Sequence, residues 1–220
     1  MRANVVSDSV DPQLLRQMLQ FAAQPERGNE NLHTYAIVDA AQDWEFVVLC
    51  RQKFKLNPQM LFEGRAADAM MMVAPYLIQF DASTEFVEQW SQRWGKNLGI
   101  FLISSADETA MRKHARSIFL AEDESGQEYF FRFYDPRVVW PFLQGCTHVE
   151  RKQFFGDCHC VLCELAGTSR ILHVPRSVHQ STRYYELAAP SHPHGSLPSP
   201  HFQTRSPATP SRRAYPNLPD

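Results

Sequence analysis

The chain has 220 residues, 44 % of them hydrophobic and 21 % charged, with a formal net charge of -2, which is enough chain to bury a core of its own. A balance this close to neutral excludes a global field for drawing in nucleic acid, and no basic stripe runs along any expected helix. No apolar run reaches signal-peptide or bilayer-spanning length, so the expectation is a cytoplasmic protein with no membrane partner.

Asp11 and Pro12 read as an N-cap and first turn, after which Leu14, Leu15, Met18, Leu19 and Ala22 share one face of an amphipathic helix that Pro25 stops. Thr34 to Asp39 is a compact β run, and from Asp43 the spacing of Trp44, Val47, Val48 and Arg51 is helical. Leu61 to Gly64 closes the next connection. The three methionines Met70, Met71 and Met72 are expected to fill gaps in the core, their common use. Residues 75–80 form a strand whose leading proline falls where a missing N–H does least harm. Phe86, Val87, Trp90 and Trp94 recur at helical intervals up to Gly95, and both tryptophans are assigned first to the core.

Leu98 to Ile103 is nearly all apolar, which suits a central strand covered on both faces. Ser105, with Glu108 three residues on, is a capping box ahead of a helix that gathers Arg112, Lys113, His114 and Arg116 toward its C-terminal half. Ile118 to Leu120 and Glu128 to Tyr134 flank the turn residues 123–126 and read as a hairpin, which makes the sheet mixed. Asp135 and Pro136 repeat the cap-then-proline pattern, with Pro141 shortening or bending that helix. A further helix runs from Thr147 to Gly156 with Glu150 completing a capping box, and residues 160–165 and 171–174 add a last pair of strands.

The expected class is therefore α/β, with α+β left open: a mixed sheet flanked by helices in a single main lobe. A helix and linker occupy residues 1–30 and the main domain residues 31–174. From 175 to 220 a Pro/Ser-rich tail is expected to be disordered, since nine of the 15 prolines lie there and its apolar content is too thin to offset the entropy of ordering. Charge divides the same way: residues 166–220 carry six arginines against Glu186 and Asp220, net +4, while residues 1–165 are net -6.

In this order the segments resemble the domain of unknown function 4123 family, effector chaperones or adaptors of the type VI secretion system, over residues 31–160. The likeness rests on Tyr35 to Asp39, Leu61 to Gly64, Ala74 to Leu77, Trp94-Gly95 ahead of Gly99 to Leu102, and above all on Phe131 to Val138. It implies a protein that binds a toxic effector in the cytoplasm and delivers it to the VgrG spike protein, with no enzyme activity and no cofactor. Larger family members continue into a second, more variable lobe, whereas this chain turns proline-rich soon after Leu165. A truncated chaperone that cannot deliver cargo is accordingly one alternative.

The residues expected to bind a partner are Glu63, Trp94, Arg132, Tyr134, Asp135 and Arg137. In a strand, Arg132 and Tyr134 would share one face and Phe131 and Phe133 the other. The competing structural roles are a helix cap for Asp135 and an internal ion pair from Arg132 or Arg137 to Asp39 or Glu63, since arginine forks serve partners and loops alike. Asp39 and Asp135 together would make a partial cation site with no third ligand in view.

Five cysteines, an odd number, read as reduced thiols. Cys158, His159, Cys160 and Cys163 hold enough thiolate and imidazole for zinc, with Cys146 and His148 upstream, so a small zinc-binding regulator or enzyme is the chemical alternative. Against it, Cys158 and Cys160 would face opposite to Cys163 in a strand, and buried free cysteines are the default. There is no G-x-G-x-x-G, Walker A, H-E-x-x-H or G-x-S-x-G pattern, so nucleotide binding, zinc proteolysis and serine hydrolysis have no local support.

Overall fold

The computed structural model describes residues 10–25, 31–64, 67–82, 85–122 and 128–188. No helix among them is long and apolar enough to cross a membrane. The expected turn at 123–126 and the tail from 189 lie outside the described residues.

Capping chemistry starts the helices where the sequence places it. Asp11 accepts the Gln13 N–H ahead of α1 (Pro12–Ala22), Asp43 accepts that of Phe46 ahead of α2 (Trp44–Gln52), and Thr147 and Glu150 form a reciprocal capping box on α6 (His148–Phe155). α3 (Glu85–Ser91) is shorter than its apolar spacing implies. The Ser91 hydroxyl donates to the Glu88 carbonyl, and the Arg93 and Trp94 N–H groups bond three residues back, so Trp94 sits in tight turns beyond the helix. α4 (Glu108–Ser117) is capped by Asp107, whose carboxylate accepts the Ala110 N–H at 2.8 Å, and not by a Ser105–Glu108 box. The Ser104 hydroxyl already closes a local turn onto the Ala106 N–H, leaving Asp107 as the first side chain free to cap.

Seven strands make one sheet: β1 (His33–Asp39), β2 (Gln59–Met60), β3 (Pro75–Gln79), β4 (Gly99–Ser104), β7 (Cys158–Glu164), β8 (Arg170–Pro175) and β9 (Arg183–Glu186), in the order β2-β3-β1-β4-β7-β8-β9. Every pairing in it is antiparallel. The expected hairpin stands apart as a two-stranded sheet of β5 (Leu120–Glu122) and β6 (Glu128–Phe130). β6 ends at Phe130, so Phe131 to Tyr134 is not strand: Phe133 and Tyr134 are both buried, and the expected alternation of faces does not apply. The ordered fold also runs past the boundary expected at 174, because β9 pairs with β8 and Ala188 bridges back to Val10.

Side-chain alternation along the strands sends two apolar sets in opposite directions. Ala36, Val38, Phe101, Ile103 and Leu162 pack under α1, α2 and α3, whereas Tyr35, Ile37, Ile100, Leu102 and Val161 pack under α4, α5 (Pro136–Gly145) and α6. Helices therefore cover both faces, as the unbroken apolar run of β4 requires. At Gly99 the β1 backbone comes so close that a Cβ would lie 1.9 Å from the Ile37 carbonyl oxygen, so only glycine fits.

Candidate functional site

β1 and β7 end, and β3, β4 and β8 begin, at one end of the sheet, which gathers the loops around residues 40–43, 61–64, 67–74, 92–98, 131–135 and 165–169. Asp39 closes β1 there. Its carboxylate accepts the Ala41 N–H at 3.0 Å and the Arg132 guanidinium at 2.7 Å. Asp135, the N-cap of α5, takes Arg137 in a two-pronged bond (Nε to Oδ1 2.9 Å, Nη2 to Oδ2 2.7 Å) together with the Arg137 backbone N–H, and Arg132 stands 3.8 Å away.

Burial and charge divide unequally within this cluster. The side chains of Asp39 and Asp135 are 1 % and 4 % exposed, against 41 % and 50 % for Arg132 and Arg137, so the carboxylates anchor the cluster and the guanidinium groups face outward. Burial pushes the Asp135 carboxyl up, but the side-chain and backbone bonds from Arg137 and the charges of Arg137 and Arg132 outweigh it and hold the group below the usual aspartate range. Tyr134 lies under Arg132, whose guanidinium is 5.7 Å from the ring centre. Burial, then the Asp39 charge, push its phenol up to about 12, so it stays a neutral hydroxyl.

Two further site residues hold this end together. The Trp94 indole N–H donates to the Thr168 carbonyl at 2.9 Å, tying the β7–β8 turn to the α3–β4 loop. Glu63 does not join the aspartates; it pairs with Arg112 at 3.0 Å and with Arg116, pinning the β2–β3 connection to α4. Of the expected internal ion pairs, Arg132–Asp39 forms and the arginine pairings to Glu63 do not. Because Arg137 is bound on both prongs to a buried aspartate, its first role is structural.

Sequence reasoning missed Glu164 and misplaced the methionines. Glu164, at the end of β7, accepts the N–H groups of Gly95 (2.8 Å) and Asn97 (2.5 Å). Burial raises its pKa, and these two amides only partly offset that. The readable signal was an acid closing an otherwise apolar strand. Met70, Met71, Met72 and Val73 are exposed and not core-filling, because the chain there makes short turns just before β3, with the Tyr76 hydroxyl holding the Met71 carbonyl at 2.8 Å. Exposed Phe130 packs against Phe62 (5.5 Å between ring centres), which follows the Leu61 N–H bond to the Pro75 carbonyl at this same end.

The cysteine cluster is split by the sheet. Between β4 and β7 the register shifts, Ile103 opposing Cys160 and Ser104 opposing Cys158, so His159 is an extra residue and the strand changes phase. Cys158 and Cys163 consequently share the α4–α6 side and Cys160 lies on the other, unlike the pairing expected from simple alternation. Burial pushes the thiols of Cys158 and Cys163 up to about 12. Among the described residues no three His, Cys, Asp or Glu side chains converge to hold a metal ion.

A family model described as "Domain of unknown function (DUF4123)" matches residues 34–153, more than half of the 220-residue chain, from β1 to the middle of α6. No curated protein and no solved structure matches.

Proposed function

We propose that this chain, which belongs to the domain of unknown function 4123 family, is a non-enzymatic adaptor of the type VI secretion system, binding a toxic effector in the cytoplasm and loading it onto the VgrG spike protein. The observation that carries the reading is the composition of one sheet end, whose loops carry exposed Met70–Val73 and Phe130 as well as half-exposed Arg132 and Arg137. Flexible thioethers repack against varied apolar partners, and aromatic and arginine side chains supply anchoring contacts. The carboxylates there are occupied by cap and arginine bonds, so they serve as struts for the surface. Holding effector and spike in one complex raises the local concentration of each at the other, and that needs no cofactor.

The test is co-purification of the tagged chain with the products of its neighbouring genes, which on this reading include a toxin and a spike protein. Met71→Asp with Met72→Asp is expected to weaken effector capture at least tenfold, or about 1.4 kcal/mol, with the thermal midpoint unmoved because both side chains are exposed. Capture unchanged in that variant would remove this surface from the mechanism. Wild-type chain that retains neither component would overturn the adaptor reading, and retention of effector without spike would point to a chaperone that does not deliver.

A further inference from the structure

We propose that the opposite end of the sheet carries a second binding site, a basic cleft that takes an acidic, apolar-bearing peptide segment of a partner protein. The cleft, about 730 Å³, is walled by the last turn of α1, by Leu32, by the start of β7, by the β8–β9 connection and by α6. That volume accommodates several residues of chain, well beyond a single ion.

Its lining is one-signed. Arg151, Lys152, Arg176 and Arg183 face it and, among the described residues, no Asp or Glu does. None of these four forms an ion pair with a described residue, whereas Arg93, Arg112, Arg116, Arg132, Arg137 and Arg170 each sit on a carboxylate and Arg51 donates to the Pro58 carbonyl. Four cations brought into one cleft with no described carboxylate among them favour a ligand that carries negative charge. Four imidazoles, His148, His159, His173 and His179, line the same space.

The wall is built and not incidental. Arg151 donates to the carbonyls of Arg176 (3.1 Å), Leu143 (3.4 Å) and Pro175, stapling the β8–β9 connection onto α6, while its guanidinium lies 5.0 Å from the Phe155 ring centre. The extra residue at His159 turns that side chain and Cys160 toward the cleft together. Exposed Phe21 and Val178 flank the cations, so the matching ligand presents carboxylates beside an apolar side chain. A bounded cleft with apolar walls favours such a peptide over nucleic acid, which is held along an extended basic track.

In sequence, residues 189–220 carry Arg205, Arg212 and Arg213 against Asp220, and residues 26–30 carry Glu26 and Glu30 against Arg27, so neither stretch brings four negative charges.

The experiment is fluorescence anisotropy of a labelled peptide alternating Glu and Phe, titrated with the full chain. Saturable binding is expected, weakening about tenfold between about 50 mM and about 300 mM salt. Lys152→Glu with Arg183→Glu should reduce affinity at least tenfold, or Lys152→Gln with Arg183→Gln several-fold should the reversed variant not fold. Met71→Asp with Met72→Asp, at the other end, should leave it unchanged. Four results would overturn the proposal: no peptide binding by the wild-type chain, equal binding by the cleft variants, tighter binding of a single-stranded oligonucleotide, or self-association that the peptide does not compete. The cleft stands apart from the adaptor reading, since effector capture can fail while the peptide still binds, and the reverse.

Discussion

Asp135 accepts the Arg137 backbone N–H and both prongs of its guanidinium while starting α5, so removing its carboxylate takes away a helix cap and an ion pair together. Asp135→Ala is expected to cost about 2 kcal/mol at neutral pH by urea unfolding, a figure held down by the half-exposed arginine. The sign of its pH dependence follows from the depressed folded pKa: the stabilisation is whole above the unfolded value of about 3.9 and is lost as pH falls through the folded one. The gap between wild type and variant should therefore close on acidification, and a gap constant down to the acid transition would mean that the charge contributes nothing. Glu164 runs the other way, since burial raises its folded pKa and its ionisation weighs against folding as pH rises through that value. The Asp-Pro cap at 135–136 was legible because capping is local in sequence; the Glu164 cradle was not, because its donors at Gly95 and Asn97 lie some seventy residues away.

Strands β1, β3 and β4 were readable for a different reason: apolar residues on both faces, bounded by turn residues, leave few other uses for such runs. The β1–β4 pair then turns on Gly99, whose missing Cβ lets the Ile37 carbonyl approach. Gly99→Ala should cost more than about 3 kcal/mol or abolish folding. Gly95→Ala, at φ +83° with nothing within 4 Å, should pay only for backbone strain, about 1 kcal/mol. Thermal unfolding of the two variants side by side decides it, and equal losses would contradict the close approach. Alternation misled at Phe131 to Tyr134, where aromatic and charged residues mimic a strand but the chain turns into α5 and buries Phe133 and Tyr134 in succession. β9 escaped notice because an edge strand needs only one neighbour, and Arg183 to Glu186 show the polar, half-exposed character of an edge within a proline-rich stretch.

At the scale of the whole molecule, the two candidate surfaces stand at opposite ends of the same strands, separated by the seven residues of β7, or about 20 Å. Sites that far apart with no shared partners should be energetically independent. Combining Met71→Asp and Met72→Asp with Lys152→Glu and Arg183→Glu is thus expected to give losses that add within about 0.5 kcal/mol, measured as effector capture and peptide affinity on the same preparations; strong coupling would show that both changes perturb one surface. With helices roofing both faces of the sheet, a partner reaches the strands themselves at the sheet's ends and edges, through loops whose outward side chains lie outside the core. Such a frame lets cargo preference drift through loop replacement while the buried layers, which see no visitor, remain a constant chassis.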